Sequence, residues 1–429
     1  MWIGIDDTDS LQGGCTTYIA TELVKKLMEI GYDLIGFPRL VRLNPNIPWK
    51  TRGNGAVALR IGKGGGKRIK IGEMDGMGIF SFPYKKRDAR MEDIISVVDE
   101  VIPAHAMNDA DPAFVVSPKK LPYFIYKKSV REVVKIEEVK KWIEGRAFYK
   151  FYRKGRGLIG ASSAISWIPR DKTYELIAYG EEKWVDKKSV IEMDKKCKGT
   201  FNNYDYRNDY IALLPKANSP VFYGIRGEDV EELMKAREML VKAREERWTI
   251  FETNQGTDDH LQRKRRIGEI KPYESVIVKG MVKKEPRTIK GGHVIFSIYD
   301  GDEIECTAYE PTKEFIDVVK KLRKGDEIIV YGGVRAEPFT INIEKMEIKK
   351  MVDLYEKVEN PICKNCGKHM KSMGKGKGYR CIICGKRAGE EEAKYVKVRR
   401  KIKPGIYEVP VIARRHLAKP LKRMGLENC

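Results

Sequence analysis

The chain has 429 residues, which suits three or four domains of ordinary size. It carries 83 Lys and Arg against 61 Asp and Glu, a formal net charge of +22, and such an excess favours a polyanionic partner such as nucleic acid. No apolar run is long enough to cross a bilayer and no signal peptide is recognisable, so we expect a soluble cytoplasmic protein with no membrane contact and no evident protein partner.

Three carboxylates close the first predicted strand, because Asp6, Asp7 and Asp9 follow the apolar residues 2–5. Strand alternation would place Asp7 and Asp9 on one side of the sheet and Asp6 on the other. Neighbouring carboxylates repel one another unless a cation lies between them, and Mg²⁺ bound to phosphate usually takes one or two carboxylates. The cluster therefore predicts a site for magnesium and phosphate.

A helix is predicted from residue 16 to residue 30. The N–H groups near its start, at Gly14 and Cys15, would be free to bind the phosphates of a nucleotide, and Thr16 or Thr17 would place a hydroxyl beside a phosphoryl group. An ordinary strand, turn and helix with Thr as the N-cap explains the same residues without any ligand.

The rest of the first segment, up to residue 118, predicts a mixed α/β domain with strands near 34–43 and 56–62 and a helix from 91 to 101. In its polar loop, cationic and amide side chains alternate with small residues, which would let the loop close on a phosphate or a base edge. The loop residues assigned to nucleotide binding are Lys50, Arg52, Gly53 and Asn54. A loop of Gly and Pro without a ligand is the alternative.

A second α/β unit is predicted over residues 119–268, with a helix at 131–145. The glycine-rich run at 154–161 resembles a phosphate loop, but it matches neither the Walker nor the Rossmann pattern. Two polar runs follow, at 201–206 and 253–260. Polar clusters at strand ends are where α/β proteins often bind ligands.

Between residues 269 and 352 the pattern changes to alternating strands separated by glycine turns. Five strands are predicted, at 275–282, 293–299, 303–309, 326–334 and 339–348, with a helix at 312–323 between the third and the fourth. This is the element order of an OB-fold barrel, an architecture that binds oligonucleotides.

The strongest single motif is a pair of CxxC sequences fourteen residues apart, within residues 353–390: Cys363, Cys366, Cys381 and Cys384. This is the spacing of a four-cysteine zinc ribbon, and because protein thiolates fill all four positions the zinc would be structural. Two disulfides would use the same cysteines but are disfavoured inside a cell.

Much of the positive charge lies toward the end of the sequence. Residues 357–429 hold 20 Lys and Arg against 6 Glu, which is +14 of the total +22. We predict a basic C-terminal segment, residues 391–429, that contacts RNA phosphates together with the ribbon. A solubilising tail is the alternative.

Several long motifs resemble those of the archaeal tRNA(Ile) 2-agmatinylcytidine synthetases, in the same order and over essentially the whole chain. They are IGIDDTDS, GGCTTY, RLNPNIP, TRGNGA, KGRGLIGA, FNNYDYRNDY and TNQGTDDH. The resemblance implies a multidomain α/β plus β protein, with a kinase-like domain at 1–118 and a ferredoxin-like α+β domain at 119–268 before the OB-fold and the ribbon.

The same resemblance implies the activity. Agmatine would be condensed with the 2-oxo carbon of the wobble cytidine in the minor, AUA-decoding isoleucine tRNA with a CAU anticodon, and ATP would be converted to AMP. In this family the aspartate cluster, here Asp6, Asp7 and Asp9, is catalytic, and the first threonine after the cysteine, here Thr16, is autophosphorylated.

These residue types suit such a reaction. The oxygen on C2 of cytosine is a poor leaving group, so it must be phosphorylated before an amine can displace it, and Mg²⁺ on the aspartates would neutralise the phosphate charge. The guanidinium of agmatine needs a carboxylate partner, for which Asp205, Asp258 and Asp259 are the candidates.

Two other classes of protein fit part of the sequence. A metal-dependent phosphoesterase acting on nucleic acid would use the same aspartates without ATP. A non-catalytic nucleic-acid-binding protein would account for the OB-fold and the ribbon but not for the first half of the chain.

Overall fold

The structure is a computed structural model that describes residues 1–215 and 218–426. Cys429 and the end of the predicted basic segment lie outside the described residues. Within the described ranges, no helix is both long enough and apolar enough to cross a membrane.

The first part of the chain forms strands and two helices. Their bounds are β1 (Trp2–Asp6), α1 (Thr16–Glu29), β2 (Asp33–Ile35), β3 (Arg39–Arg42), β4 (Gly55–Gly65), β5 (Ile69–Met74), β6 (Met77–Phe82), β7 (Tyr84–Asp88), α2 (Met91–His105) and β8 (Ala113–Ser117). Helix α1 buries Ile19, Leu23 and Leu27, a spacing that puts all three on one face. The predicted helices at 16–30 and 91–101 are confirmed, whereas β5, β6 and β7 were not predicted.

Strand β1 stops at Asp6. The next residue, Asp7, has φ of +57°, a left-handed conformation that cannot continue a strand. The predicted alternation through Asp9 is therefore wrong, because the strand geometry it assumes ends three residues earlier.

The second part contains more helix. Its elements are α3 (Tyr123–Ser129), α4 (Ile136–Ile143), β9 (Phe148–Phe151), α5 (Gly157–Ser166), β10 (Thr173–Tyr179), α6 (Lys187–Lys196), β11 (Thr200–Phe201), β12 (Tyr204–Asp205), β13 (Tyr210–Ile211), β14 (Val221–Gly227), α7 (Val230–Met239) and β15 (Arg247–Thr253). The predicted helix at 131–145 is confirmed only in its central part, because α4 covers Ile136–Ile143. The β-branched pair Val133 and Val134 has no regular secondary structure, and α4 begins only after Lys135, whose N–H donates to Glu138 Oε2 at 3.0 Å.

One thirteen-stranded sheet joins these two parts. Its main order is β11-β14-β10-β15-β5-β6-β2-β4-β1-β8-β9, and β3 links β15 to β4. Strands β10, β11, β14 and β15, with α6 and α7, form a βαββαβ unit at one end of the sheet. Helix α5 packs against β1 so closely that a Cβ on Gly4 would lie 2.1 Å from the carbonyl oxygen of Ala161.

The third part is a closed barrel with its own hydrophobic core. Its elements are β16 (Leu261–Arg263), β17 (Ser275–Thr288), β18 (Val294–Tyr299), β19 (Glu303–Ala308), α8 (Phe315–Val319), β20 (Glu327–Val334) and β21 (Thr340–Lys350). The barrel closes with the spatial order β17-β18-β19-β21-β20, because β20 also pairs with β17. The predicted succession along the chain, five strands with a helix between the third and the fourth, is confirmed. Helix α8 is shorter than predicted. Lys313 has φ of +47°, a left-handed conformation, so the helix begins only after this residue.

The last part is a ribbon inserted between the barrel and a returning segment. Its strands are β22 (Leu354–Glu359), β23 (Lys371–Ser372), β24 (Tyr379–Arg380), β25 (Arg387–Ala388), β26 (Lys394–Val398) and β27 (Gly405–Glu408). Strands β22 and β26 pair with each other, so the chain leaves and re-enters the ribbon at one point. Strand β27 then pairs with β21, and residues 405–426, here called the return segment, run back over the large sheet.

Candidate functional site

A cavity of about 490 Å³ lies where β1 ends and α1 begins. Ten of the predicted catalytic or nucleotide-binding residues line it: Asp6, Asp7, Asp9, Cys15, Thr16, Thr17, Lys50, Arg52, Gly53 and Asn54. Gly14 does not line it. With φ of +77°, Gly14 shapes the turn before α1, and a Cβ there would lie 2.7 Å from Met107 Cγ.

The carboxyl groups of the three aspartates lie close together at the end of β1, where they are largely buried from water. Burial, and then the charge of Asp7, raises the pKa of Asp6 well above its ordinary value. Burial, helped by the nearby carboxylates of Asp111 and Asp9, raises the pKa of Asp7 to about 6. Burial also raises the pKa of Asp9, although Arg52 opposes the rise from 3.3 Å away. Such a cluster is what a bound cation would relieve.

The two threonines make different contacts. Cys15, in an extended conformation, is the N-cap of α1, so the alternative prediction of a capping threonine is wrong. Thr16 Oγ1 accepts a hydrogen bond from the buried Thr8 Oγ1 at 3.0 Å, whereas Thr17 Oγ1 lies 3.0 Å from Cys15 Sγ. The Thr16 hydroxyl is therefore held on the side of the helix that faces Thr8.

The polar loop between β3 and β4 closes over the start of α1. The guanidinium of Arg52 donates to the carbonyl oxygens of Ser10 and Gly14, at 2.6 and 3.2 Å, and thereby fixes the turn that carries Asp9. Lys50 Nζ donates to Ile47 O at 3.2 Å. A Cβ on Gly53 would lie 2.7 Å from Arg42 Nη1, so a larger residue there would displace the end of that arginine side chain.

Helix α5 supplies a wall that the sequence indicated only through its glycines. A Cβ on Gly160 would lie 1.8 Å from Asp6 Oδ2, so only glycine lets the carboxylate approach the helix. Asp111, which we did not single out, accepts hydrogen bonds from the N–H groups of Gly155 and Arg156 at 2.9 and 3.0 Å. Arg156 lies over the ring of Trp49 at 4.5 Å and lines the cavity.

A buried polar network forms the opposite wall. Glu175 Oε1 lies 2.9 Å from Arg226 Nε, and Arg226 also donates to Gln255 Oε1 at 3.2 Å. His416 Nδ1 lies 2.7 Å from the same Gln255 oxygen. The charge of Arg42, together with burial, holds the pKa of His416 well below its ordinary value, so the ring is neutral at physiological pH.

The three carboxylates predicted to bind agmatine are not brought to the cavity. Asp205 accepts from the N–H groups of Asn208 and Ile412, both at 3.1 Å, and Asp258 accepts from the N–H of Lys419 at 2.7 Å and pairs with Lys345. Asp259 accepts from Tyr126 Oη at 2.7 Å. These carboxylates fasten loops and the return segment to the body, although Asn202 of the first polar run lines the cavity and Gln255 of the second belongs to its buried polar wall.

The return segment lies within the predicted basic C-terminal segment, and in its described part it packs against the body, which differs from the solubilising tail considered as the alternative. Arg414, Arg415 and His416 line the cavity, and Leu417 is buried in the core between α5 and the sheet. Lys419 Nζ lies 2.9 Å from Asp171 Oδ2, so at least part of the charge counted in the sequence is matched internally. A polar sequence with scattered apolar residues gave no signal for this packing.

The four predicted zinc ligands come together in the ribbon. Their Sγ atoms lie within 4.8 Å of one another, and a tetrahedral zinc ion with ordinary Zn–S bonds places thiolates roughly 3.8 Å apart. Gly367 and Gly385 have φ of +65° and +75°, and their N–H groups donate to Cys363 O at 2.8 Å and Cys381 O at 3.0 Å. Both knuckle turns are thus formed, and the residues fit a structural zinc ion.

Sequence profiles of one family match three parts of the chain: the TiaS TCKD domain at residues 2–155, the TiaS FLD domain at 155–260 and the TiaS C-terminal zinc ribbon domain at 360–402. Among curated proteins, the tRNA(Ile) 2-agmatinylcytidine synthetase TiaS of Methanocaldococcus jannaschii is 44% identical over 445 aligned residues, which cover 99% of each chain.

Solved structures are similar over the same length. The crystal structure of a complex of TiaS with isoleucine tRNA and ATP matches with a TM-score of 0.84 and 40% identity, covering 100% of this chain and 98% of that one. A complex of TiaS with isoleucine tRNA, AMPCPP and agmatine matches with a TM-score of 0.82 and 36% identity, over the same shares of the two chains.

Proposed function

This chain belongs to the TiaS family of tRNA(Ile) 2-agmatinylcytidine synthetases, and from that premise we propose that the cavity at the end of β1 is where ATP and agmatine modify the wobble cytidine. The observation that carries the proposal is the meeting of Asp6, Asp7, Asp9 and Thr16 in one cavity. We assign phosphoryl transfer to these four residues.

The proposed reaction has two steps. The 2-oxo oxygen of cytosine first accepts one phosphoryl group of ATP, and water cleaves the second phosphoanhydride bond, so that AMP and one further phosphate are the nucleotide products. The primary amine of agmatine then forms a bond to C2 and loses a proton, while the C2–O bond breaks and the oxygen leaves with the phosphate. Arg52 keeps the turn with Asp9 in place during both steps, and Arg156 lines the cavity beside Asp7 as a cation that phosphate oxygens can approach.

The aspartates are proposed to hold Mg²⁺, which when bound would neutralise phosphate charge. Three carboxylates with raised pKa values and few matching cations fit such an ion. Thr16 is proposed as the phosphoryl acceptor within the protein, because the residue lines the cavity and its hydroxyl is oriented by Thr8.

We also propose that the first domain is kinase-like and that the second is ferredoxin-like. The βαββαβ unit, with strand order β11-β14-β10-β15, supports a ferredoxin-like domain, and the acidic strand end followed by helix α1 supports a kinase-like one. The division at residues 118, 268, 352 and 390 is likewise proposed. Separate cores support it for the barrel and the ribbon, while β8 and β9 pair across residue 118.

A direct test of the proposed function is AMP formation by the purified protein with the minor isoleucine tRNA, agmatine and ATP. AMP formation that rises above the basal rate when both tRNA and agmatine are present, with one agmatine incorporated per additional AMP, would support the proposal. Cleavage of the RNA without ATP would favour a phosphoesterase, and binding without turnover would favour a nucleic-acid-binding protein.

Glu132 is the proposed partner of the agmatine guanidinium. Apart from the aspartate cluster, the acidic residues that line the cavity within the described ranges are Glu175, whose oxygens are bound by Arg226 and Gln255, and the exposed Glu132. We expect Glu132→Gln to raise the KM for agmatine by roughly 10- to 100-fold with little change in kcat, because one charge-assisted pair is lost. Glu137→Gln, an exposed change in the first turn of α4, should leave the KM unaltered. An equal KM for both variants would refute this role.

The ribbon and the return segment should have separable effects. Deleting residues 355–397 and joining Leu354 to its strand partner Val398 through a short glycine linker removes the zinc ligands and eleven Lys and Arg. We expect zinc to fall from one per chain to none and tRNA affinity to depend less steeply on salt, while basal ATP hydrolysis persists.

Ending the chain after Pro404 instead removes Arg414, Arg415 and His416 from the cavity, so ATP hydrolysis should be lost. An unchanged salt dependence after the deletion would mean that the ribbon does not contact RNA.

A further inference from the structure

A second cleft, of about 560 Å³, lies at the other end of β1 from the aspartates. Helix α5 begins beside Asp6 and ends at this cleft, where the carbonyl oxygen of Trp167 accepts hydrogen bonds from Arg39 Nη1 and Lys120 Nζ, each at 3.0 Å. The ten residues of α5 span about 15 Å, so the cleft is distinct from the cavity described above.

The cleft is strongly basic. Four cations line it, Arg39, Arg60, Lys119 and Lys120, with one carboxylate, Glu252. That carboxylate is already shared, because Arg39 Nε lies 3.4 Å and Lys172 Nζ 2.6 Å from its oxygens. The remaining positive charge has no counterpart in the lining.

Three of these cations surround one indole ring. The guanidinium of Arg39 lies 4.7 Å from the centre of the Trp2 ring, and Arg60 and Lys120 lie 5.7 Å from it. Burial, with the charges of Arg39 and Arg60, lowers the pKa of Lys120 to about 8, which is the effect expected of crowded like charges.

Capping of α5 explains two of the cations but not the third. Arg39 and Lys120 complement the carbonyl end of the helix. Arg60 makes no such hydrogen bond, and in residues 1–215 and 218–426 no carboxylate oxygen lies within ion-pair distance of its guanidinium. Its five N–H donors are available to an anion.

We propose that this cleft binds a phosphate group of the tRNA backbone, with Arg60 as the residue that contacts it. The neighbouring strand supports an RNA source over a small anion: Pro83 lines the cleft, and directly after it β7 presents the exposed Lys86 and Arg87. A polyanion that crosses the cleft would meet both groups of cations. The inference rests on tRNA as the substrate, and a free phosphate ion shares the same chemistry.

The test is the salt dependence of binding to the minor isoleucine tRNA, measured without ATP or agmatine so that it is independent of the roles assigned to the cavity. Arg60→Gln should weaken binding and lower the slope of log affinity against log salt by about one. Lys196→Gln removes an equal charge from the exposed face of α6 and should match the wild type. Arg39 is left unaltered because it also supports α5.

Two results would overturn the inference. One is an Arg60→Gln slope equal to that of the wild type, with wild-type binding intact. The other combines two observations: millimolar inorganic phosphate raises the melting temperature of the wild type but not of Arg60→Gln, and the salt slope of tRNA binding by Arg60→Gln equals that of the wild type. Together these would assign the cleft to free phosphate. Wild-type protein that fails to bind tRNA would contradict the proposed function as well.

Discussion

Asp7→Asn is expected to lower kcat for ATP cleavage by about 10²- to 10³-fold. At the same time it is expected to make the folded protein more stable. The two effects have one cause. Burial and the carboxylates of Asp111 and Asp9 make the charged form of Asp7 unfavourable in the folded protein, so an uncharged isostere relieves the repulsion. The same change removes a ligand for the cation on which phosphoryl transfer depends in the proposed mechanism.

The stability gain should depend on pH in a defined direction. The pKa of Asp7 is raised to about 6 in the folded state, from an ordinary value of 3.8. The folded state therefore binds more protons between these values, and its stability falls as the pH rises from about 4 to about 6. In metal-free buffer, the difference in unfolding free energy between Asp7→Asn and wild type should grow over this range and stay constant above it.

Urea unfolding at several pH values and AMP formation at pH 7 measure the two effects. Asp109→Asn is the matched control, since Asp109 is an exposed aspartate two residues from Asp111 and does not line the cavity. It should change neither activity nor stability appreciably. Full ATP turnover in Asp7→Asn would remove the aspartate from the mechanism, whatever the stability shows.

Thr16→Ala should eliminate transfer of radioactive phosphate from γ-labelled ATP to the protein. It also breaks the hydrogen bond from Thr8, which should cost about 1 kcal/mol of stability, far too little to unfold the chain. Thr16→Ser restores a hydroxyl at the same position and should restore most of the label. Autoradiography of the purified variants, with the label mapped to a peptide, measures both changes.

Thr17→Ala provides the internal control. A side chain one residue further along a helix points about 100° away, and the Thr17 hydroxyl contacts Cys15 Sγ instead of Thr8. Labelling should persist in this variant. Equal labelling of wild type and Thr16→Ala would show that the phosphoryl acceptor, if the protein has one, is another residue.

Patterns set by local chemistry were readable from the sequence. Within each CxxC pair the two cysteines are close in sequence and need only one tight turn, so the zinc cluster could be predicted from their spacing. The barrel was recognisable because its strands bury alternate residues of a single small core. By contrast, the first five residues of the helix predicted at 131–145 are not helical, and there the side chain of Asn44, from another part of the chain, donates to Glu132 O at 3.3 Å.

The cavity was predictable where its residues are neighbours in sequence and unpredictable where they are not. Asp6 to Thr16 form one continuous stretch, and all the aspartates predicted there line the cavity. Glu175, Arg226 and His416 come from three distant segments, and nothing in their local sequence shows that they meet. Asp258 and Asp259 pair with Lys345 and Tyr126 outside the cavity, and the sequence could not indicate this because buried ion pairs and binding sites use the same residue types.

The path of the return segment also bears on when the enzyme becomes active as it is made. Arg415 Nη1 donates to Asn46 Oδ1 at 2.6 Å, a contact between residues 369 positions apart. During translation the aspartates and Thr16 leave the ribosome long before the barrel, the ribbon and this arginine have been synthesised. Contacts of such long range form late in folding. A nascent chain therefore carries the groups proposed for phosphoryl transfer in an incomplete pocket, and we expect ATP chemistry to begin only after the zinc ribbon, which precedes the return segment, has emerged.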